Sequence, residues 1–249
     1  MEQSYNELRV NAVNHRNGDL TGINCEKCKN RGYFLSVQEI NGFKYTFETE
    51  CECMKTRRTL QRLARSGIAP MLEKYDLKNY KTKENWQKTI LDTALEYLAN
   101  GGEKWWFIGG QSGSGKTMIC TGIVGELVKK RYETRYIVWN EAMRDLKDDI
   151  ANKQQLSVKL EELKRVELLY IDDLFKSEPT KFDKDTLFEI INYRYNNNLK
   201  TIISSEKSIN VIFEIDNAIG GRIKERCCEF CLAVEKDNTK NQRLKKYKN

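Results

Sequence analysis

Gly110-Gln-Ser-Gly-Ser-Gly-Lys-Thr117 is the stretch that decides the fold. It matches G-x-x-x-x-G-K-[ST] at every fixed position. Glycines in that spacing let the backbone wrap until its N–H groups point inward at phosphate oxygens, a lysine reaches the β- and γ-phosphates, and a hydroxyl binds Mg²⁺. Gly110, Gln111, Ser112, Gly113, Ser114, Gly115, Lys116, Thr117 and the following Met118 are therefore the expected nucleotide contacts, with ATP and Mg²⁺ as ligands. The context agrees. Lys104-Trp-Trp-Phe-Ile108 before the loop is apolar and strand-like, and Lys116–Lys130 after it is helical, so a positive helix end faces the phosphates.

A second carboxylate-bearing strand is needed to hold the metal. Leu168-Leu-Tyr-Ile-Asp-Asp173 supplies it, with Asp172 standing 56 residues after Lys116. Asp172 is expected to hold Mg²⁺ through water, and Asp173 to sit where a water is activated as nucleophile. Alone, the two acids read better as a helix N-cap; the upstream loop turns the reading to catalysis. Farther on, Lys200-Thr-Ile-Ile-Ser-Ser-Glu206 is a strand ending in polar groups, where a γ-phosphate sensor would lie. Gly221-Arg-Ile-Lys-Glu-Arg226 puts Arg222 and Arg226 on one helix face. Such an arginine either reaches a neighbour's nucleotide or is an ordinary solvated or ion-paired side chain.

Outward from these motifs, helix and strand alternate. Helices are expected at Trp86–Ala99, Glu141–Ile150, Lys184–Tyr195 and Ile209–Arg226, and strands at Thr134–Trp139, Glu167–Ile171, Lys200–Ser205 and Glu229–Val234. The expected fold is α/β, a three-layer P-loop architecture with a five-stranded, mostly parallel sheet covered on both faces. A small domain precedes it. There, Gly32–Val37 and Phe43–Phe47 alternate as two short strands about an Asn41-Gly42 turn, and a helix follows from Met54 to Ser66. The boundary is placed at 67–70, giving domains 1–66 and 67–249. Residues 1–20 are polar and expected to be poorly ordered.

Eight cysteines sit in a chain with no secretory leader and no run of ~18 apolar residues, so a cytoplasmic protein without a membrane span is expected. Cys25-x-x-Cys28 and Cys51-x-Cys53 flank the hairpin. Four thiolates so paired suit a closed, structural zinc site; free thiols or redox chemistry are the alternatives. Cys120, Cys227, Cys228 and Cys231 read as structural, and His15, the only histidine, has no partner motif. Net charge is +7, with five cations and no acid in Lys55–Arg65 and six cations against one acid in Lys236–Asn249. Such clusters point to a phosphate-rich partner or to solvated surface.

With these motifs in this order, the chain resembles the AAA+ ATPases, specifically the DnaC/DnaI-type replicative helicase loaders and the related IstB transposition ATPases. The four-cysteine module with Asn30-Arg-Gly-Tyr33 resembles the phage and Gram-positive loader branch. The resemblance implies that Lys116, Thr117, Asp172 and Asp173 are the Walker residues, that Ser204 and Ser205 precede the sensor, and that Arg226, or secondarily Arg222, is the arginine finger. It also implies that the zinc module contacts a DnaB-family helicase, while the AAA+ part self-associates and touches single-stranded DNA. Glu206 stands where these loaders carry a sensor Asn, and Asp173 where many AAA+ proteins carry Glu. No lid-borne sensor arginine is expected. Set against a helicase loader are an IstB-like helper of a transposase, a small-molecule kinase, and an adaptor holding ATP only as a structural ligand. Against the kinase, the sequence shows no arginine-rich lid and no acceptor-pocket motif, and the paired aspartates Asp172 and Asp173 favour water over an organic hydroxyl.

Overall fold

The computed structural model describes residues 5–65 and 67–245; Met1–Ser4, Ser66 and the last four residues of the basic C-terminal segment lie outside them. The chain forms two compact units, Met1–Gln61 and Arg62–Asn249. The division falls inside a helix, α2 (Cys53–Arg65), because Leu63 joins the core of the second unit.

In the first unit, β1 (Tyr33–Ile40) and β2 (Phe43–Glu50) pair antiparallel in the register Ile40↔Phe43 to Tyr33↔Glu50. Asn41 and Gly42 turn the chain with φ of 52° and 80°, the double left-handed geometry that an Asn-Gly pair tolerates. The expectation of a poorly ordered start is corrected: α1 spans Tyr5–His15. Its few apolar residues hid it, yet Val10 is buried, and the Asn14 amide exchanges hydrogen bonds with Leu35 C=O (2.8 Å) and N–H (3.1 Å).

The second unit is built on β3 (Trp106–Gly110), β4 (Thr134–Val138), β5 (Leu168–Leu174), β6 (Lys200–Ser205) and β7 (Cys231–Val234), all parallel, in the order β4-β5-β6-β3-β7. Strand parity sorts the core into two layers. Trp106, Ile108, Tyr136, Leu168, Tyr170 and Ile202 face α3 (Ala69–Lys74), α4 (Asn85–Asn100) and α5 (Lys116–Lys129). Trp105, Phe107, Ile137, Leu169, Ile171 and Ile203 face α6 (Trp139–Asp148), α7 (Lys153–Arg165), α8 (Lys181–Asn196), α9 (Ile209–Ile215) and α10 (Asn217–Cys227). Helix α7 has no counterpart in the sequence reading, although Leu156, Leu160 and Leu163 recur at helical spacing among its charged residues and pack into this layer.

One cation holds this layer together. Arg194 on α8 is 0 % exposed and faces no carboxylate among the described residues. It donates to Val166 C=O (2.7 Å), Leu163 C=O (3.1 Å), Lys200 C=O (2.5 Å) and Thr201 Oγ1 (2.9 Å), tying the end of α7 and the start of β6 to α8. Carbonyl dipoles replace the water that the guanidinium loses on burial.

Candidate functional site

The loop after β3 is held from behind by the C-terminal segment. At Gly110, φ is 109° and an added Cβ would lie 1.9 Å from Val234 O, while Gln111 N–H donates to that same carbonyl at 2.9 Å. At Gly113, φ is 73° and an added Cβ would meet Asn241 Oδ1 at 2.1 Å; Gln242 N–H donates to Gly113 O at 2.9 Å. Both positions thus need glycine. Ser114 Oγ closes the loop on Gln111 O (2.8 Å), Gln111 Nε2 donates to Ser112 O (3.1 Å), and Met118 packs into the α5-side core.

Lys116, the first residue of α5, is buried inside the loop. Its ammonium donates to Gly110 O (3.0 Å) and Gln111 O (2.7 Å). Burial draws its pKa down, and the charges of Glu206, Asp173 and Asp172 oppose that. A buried ammonium at a helix N-terminus, inside a glycine-rich loop, fits a polyphosphate.

Beside it stands Asp172, 5 % exposed. Its Oδ1 accepts from Thr117 Oγ1 (3.2 Å), Tyr170 OH (2.9 Å) and Ser204 Oγ, and its Oδ2 from Tyr136 OH (3.2 Å). Four hydroxyls from α5, β4, β5 and β6 therefore orient one carboxylate. Strand parity explains the gathering: Tyr136, Tyr170, Asp172 and Ser204 all project to the α5 side, and β4 and β6 flank β5. The sequence reading missed the two tyrosines. Tyr170 stands two residues before Asp172, so parity alone placed it on the same face; Tyr136 carried no such local signal. Burial and the Asp172 charge push both phenols up.

Asp173 is set differently. Between Ile171↔Ile203 and Leu174↔Ser205, β5 holds one more residue than β6, and Asp173 sits in that bulge with φ 56°. Its N–H donates to Ser204 Oγ (3.1 Å) and its Oδ2 pairs with Lys176 Nζ at 2.7 Å. A non-glycine residue held left-handed at a strand end is characteristic of functional strain. Ser205 is turned away from the loop: its hydroxyl donates to Leu174 O (2.6 Å) and accepts from Lys207 N–H (3.0 Å). Of the polar groups ending β6, Glu206 is the one whose charge acts on Lys116.

The two candidate finger arginines lie on α10, away from this loop. Arg226 donates to Asn198 Oδ1 (3.0 Å) and Glu103 O (2.9 Å) and lies 6.0 Å from the Trp105 ring centroid. Those partners precede β6 and β3, whereas the phosphate loop follows β3. Arg222 donates to Asn192 Oδ1 (3.1 Å) and lies 5.0 Å from the Phe188 ring.

In the first unit the four sulfurs of Cys25, Cys28, Cys51 and Cys53 all lie within 4.8 Å of one another, with Cys25–Cys51 at 3.8 Å and Cys28–Cys53 at 3.6 Å. A tetrahedral site with Zn–S bonds of about 2.3 Å has S–S edges of about 3.8 Å, so the thiols fit the ion. Lys29 and Asn30 take positive φ to turn the Cys25–Cys28 loop back, and Gly32 N–H donates to Cys28 Sγ at 3.3 Å. Burial raises the Cys28 thiol, but that N–H and the neighbouring cysteines draw it down to about 6; Cys51 is pushed up to about 12, chiefly by burial. Of the remaining cysteines, Cys120 and Cys227 are buried and Cys231 is half-buried, but Cys228 is exposed, a correction to its reading as structural. It sits at φ 49° after α10, which turns its side chain out.

The basic cluster of α2 is partly consumed within the fold. Arg57 is buried, Arg58 pairs with Glu50, and Arg62 reaches Glu133 and Glu162. No helix among the described residues is long and apolar enough to cross a membrane.

A parallel sheet in this strand order, with a phosphate loop leaving β3 and an acidic strand end beside it, defines a P-loop protein of the AAA+ class. The model of the IstB-like ATP binding protein family matches residues 37–248, and the chain belongs to that family. It is 36% identical to the uncharacterized protein YqaM of Bacillus subtilis, over 86% of this chain and 72% of that one. It is 30% identical to the phage-like element PBSX protein XkdC of the same organism, over 94% and 93%. To the replicative helicase loader DnaC of Escherichia coli it is 26% identical, over 72% of each chain. Among solved structures, DnaI aligns with a TM-score of 0.56 at 23% identity, covering 67% of this chain and 92% of that one. The DnaC helicase loader aligns at 0.57 and 20%, covering 68% and 100%.

Proposed function

We propose that the chain is an ATP-dependent loader that places a hexameric DnaB-family replicative helicase on DNA during replication initiation. The observation that carries this reading is the joining of two sites in one chain: a nucleotide site built around Lys116 and Asp172, and a separate unit with four thiols at zinc-ligand spacing. A loader needs a head to grip the helicase and an ATP-driven body. In this reading residues 1–66 are the zinc-bearing, helicase-binding head, and residues 67–249 bind ATP, self-associate and contact single-stranded DNA through remaining basic groups.

In this reading each residue of the nucleotide site has a role. Lys116 neutralises the β- and γ-phosphates from inside the loop, and the Thr117 hydroxyl and Asp172 carboxylate, already 3.2 Å apart, hold Mg²⁺. Asp173, set apart by its bulge, polarises the attacking water, with Lys176 steadying it. Asp173→Asn should keep ATP bound and slow turnover. Glu206 near the γ-phosphate position adds negative charge there and accords with slow intrinsic hydrolysis. Arg226 serves the nucleotide of a neighbouring copy.

The second reading, an IstB-like DNA-binding helper of a transposase, is favoured by the family match itself. That match covers residues 37–248, taking in Cys51 and Cys53 but not Cys25 and Cys28, so it does not itself call for the complete four-cysteine unit. The deciding experiment is affinity purification of the full chain from its own source, with Mg-ATP. Recovery of a DnaB-family helicase, reproduced by the head fragment 1–66, supports the loader. Helicase binding by residues 67–249 alone reverses the assignment of the head, and no helicase in the presence of a co-purifying transposase favours the helper.

A further inference from the structure

The first unit holds a buried guanidinium, that of Arg57, one turn into the helix that begins at Cys53. It is 6 % exposed and meets no carboxylate in the contacts that bury it. One terminal nitrogen donates to Thr21 O; the other donates to Ile23 O (2.6 Å) and to Asn30 Oδ1 (2.9 Å). Asn30 Oδ1 in turn accepts from Cys25 N–H at 2.8 Å. The guanidinium thus grips both ends of the loop that carries Cys25 and Cys28, from the element that carries Cys53. Its Nε is also buried and has no hydrogen-bond partner. The nearby Lys27 is different: it faces solvent and is paired with Glu52 at 3.3 Å.

Burying a guanidinium without a counter-ion is costly, and loop carbonyls offset only part of the cost. Four thiolates around Zn²⁺ carry a net charge of about −2, which is equally costly to bury unaided. The Arg57 guanidinium also reaches the Cys53 side chain, so each is the other's missing counter-ion. We propose that Arg57 is a positioning residue of the four-cysteine metal centre, a cation whose fork joins the two halves of the ligand set and offsets the charge of the metal–tetrathiolate. Asn30 relays that grip to the Cys25 backbone. This rests on the zinc reading given above.

The test uses the full chain, purified without metal under reducing conditions and titrated with Co²⁺, then with Zn²⁺ against a chromophoric chelator. The wild type should take up one ion and show the sulfur-to-cobalt charge-transfer and visible bands of a tetrahedral tetrathiolate. Arg57→Gln should lower Zn²⁺ affinity about 10- to 100-fold, the usual range for loss of an outer-shell partner. It should also shift the charge-transfer band to lower energy, because thiolates without a facing cation give up electrons more readily. Asn30→Ala, which keeps the charge and breaks the relay, should lower affinity less and leave the band in place. Arg57→Lys keeps the charge but cannot hold Thr21, Ile23 and Asn30 together, so it should bind less tightly with a near-normal band. Wild-type affinity and band position in Arg57→Gln overturn the proposal. Should that variant not fold, wild-type affinity in Arg57→Lys overturns it instead. A wild type that binds no metal sinks the zinc reading itself, a separate outcome.

Discussion

Arg226→Ala separates a structural arginine from a catalytic one by the sizes of two effects. In its own chain Arg226 makes two hydrogen bonds, to Asn198 Oδ1 and Glu103 O, and lies against Trp105. At roughly 1 kcal/mol each for partly exposed bonds, their loss should cost about 2 kcal/mol. For a unit of this size, about 2–4 °C per kcal/mol puts the fall in Tm at about 4–8 °C, so the variant stays folded at assay temperature. An arginine completing a neighbour's site is worth about 10³-fold or more in turnover. The expected result is therefore modest destabilisation, normal ATP affinity and a thousandfold loss of hydrolysis in the assembled protein. Mixing Arg226→Ala with Lys116→Ala, which lacks its own phosphate lysine but keeps the finger, should restore activity, because hybrid interfaces pair an intact site with an intact Arg226. Arg222→Ala, which loses the Asn192 contact, is the internal comparison. A turnover loss no larger than the stability loss explains, or no recovery in mixtures shown to form hybrid oligomers, refutes the trans role.

Tyr136→Phe removes the hydroxyl that holds Asp172 Oδ2, and one bond to a charged group is worth about 1.5 kcal/mol, so the Mg²⁺ concentration needed for half-maximal ATPase should rise about tenfold; an unchanged Mg²⁺ dependence would show the contact to be incidental. Zinc should be present at about one per chain by elemental analysis, and a strong chelator should melt the first unit while the second unit keeps its thermal transition; four freely titratable thiols in the native protein would argue against the site. Burial holds the Lys200 ammonium at about 8, against an ordinary 10.5, with Glu103 opposing and Lys130 and Arg226 reinforcing. The unfolded chain therefore binds more protons across that window, and stability should rise with pH between those values, a slope that Lys200→Met should flatten in urea titrations at about pH 7.5 and about pH 9.5. Equal slopes in the two proteins would contradict the burial argument.

The order of most helices and strands in the second unit was legible because these elements carry their own period: Trp86, Ile90, Ala94 and Leu98 mark one face of α4, and unbroken apolar runs mark strands buried on both faces. The Asn41-Gly42 turn was legible for the same local reason. Helix α1 was not, since its apolar residues are too sparse to set a period; α7 does carry one, Leu156, Leu160 and Leu163 at helical spacing, but it lies among charged residues and was not read. The basic run Lys55–Arg65 read as a single electrostatic feature, yet Arg57, Arg58 and Arg62 go to three different intrachain partners.

By itself, the sequence determined the phosphate loop, the acidic strand end and the cysteine pairs, because each is a short pattern whose chemistry lies in residues a few positions apart. Only the tertiary structure decided that β4 and β6 would flank β5 and so bring Tyr136 and Ser204 onto Asp172, that one extra residue in β5 would set Asp173 apart from it, and that Arg57 would lie buried beside the cysteines. Those outcomes depend on strand pairing and burial between residues 20 to 40 positions apart, where no local period or spacing carries the signal.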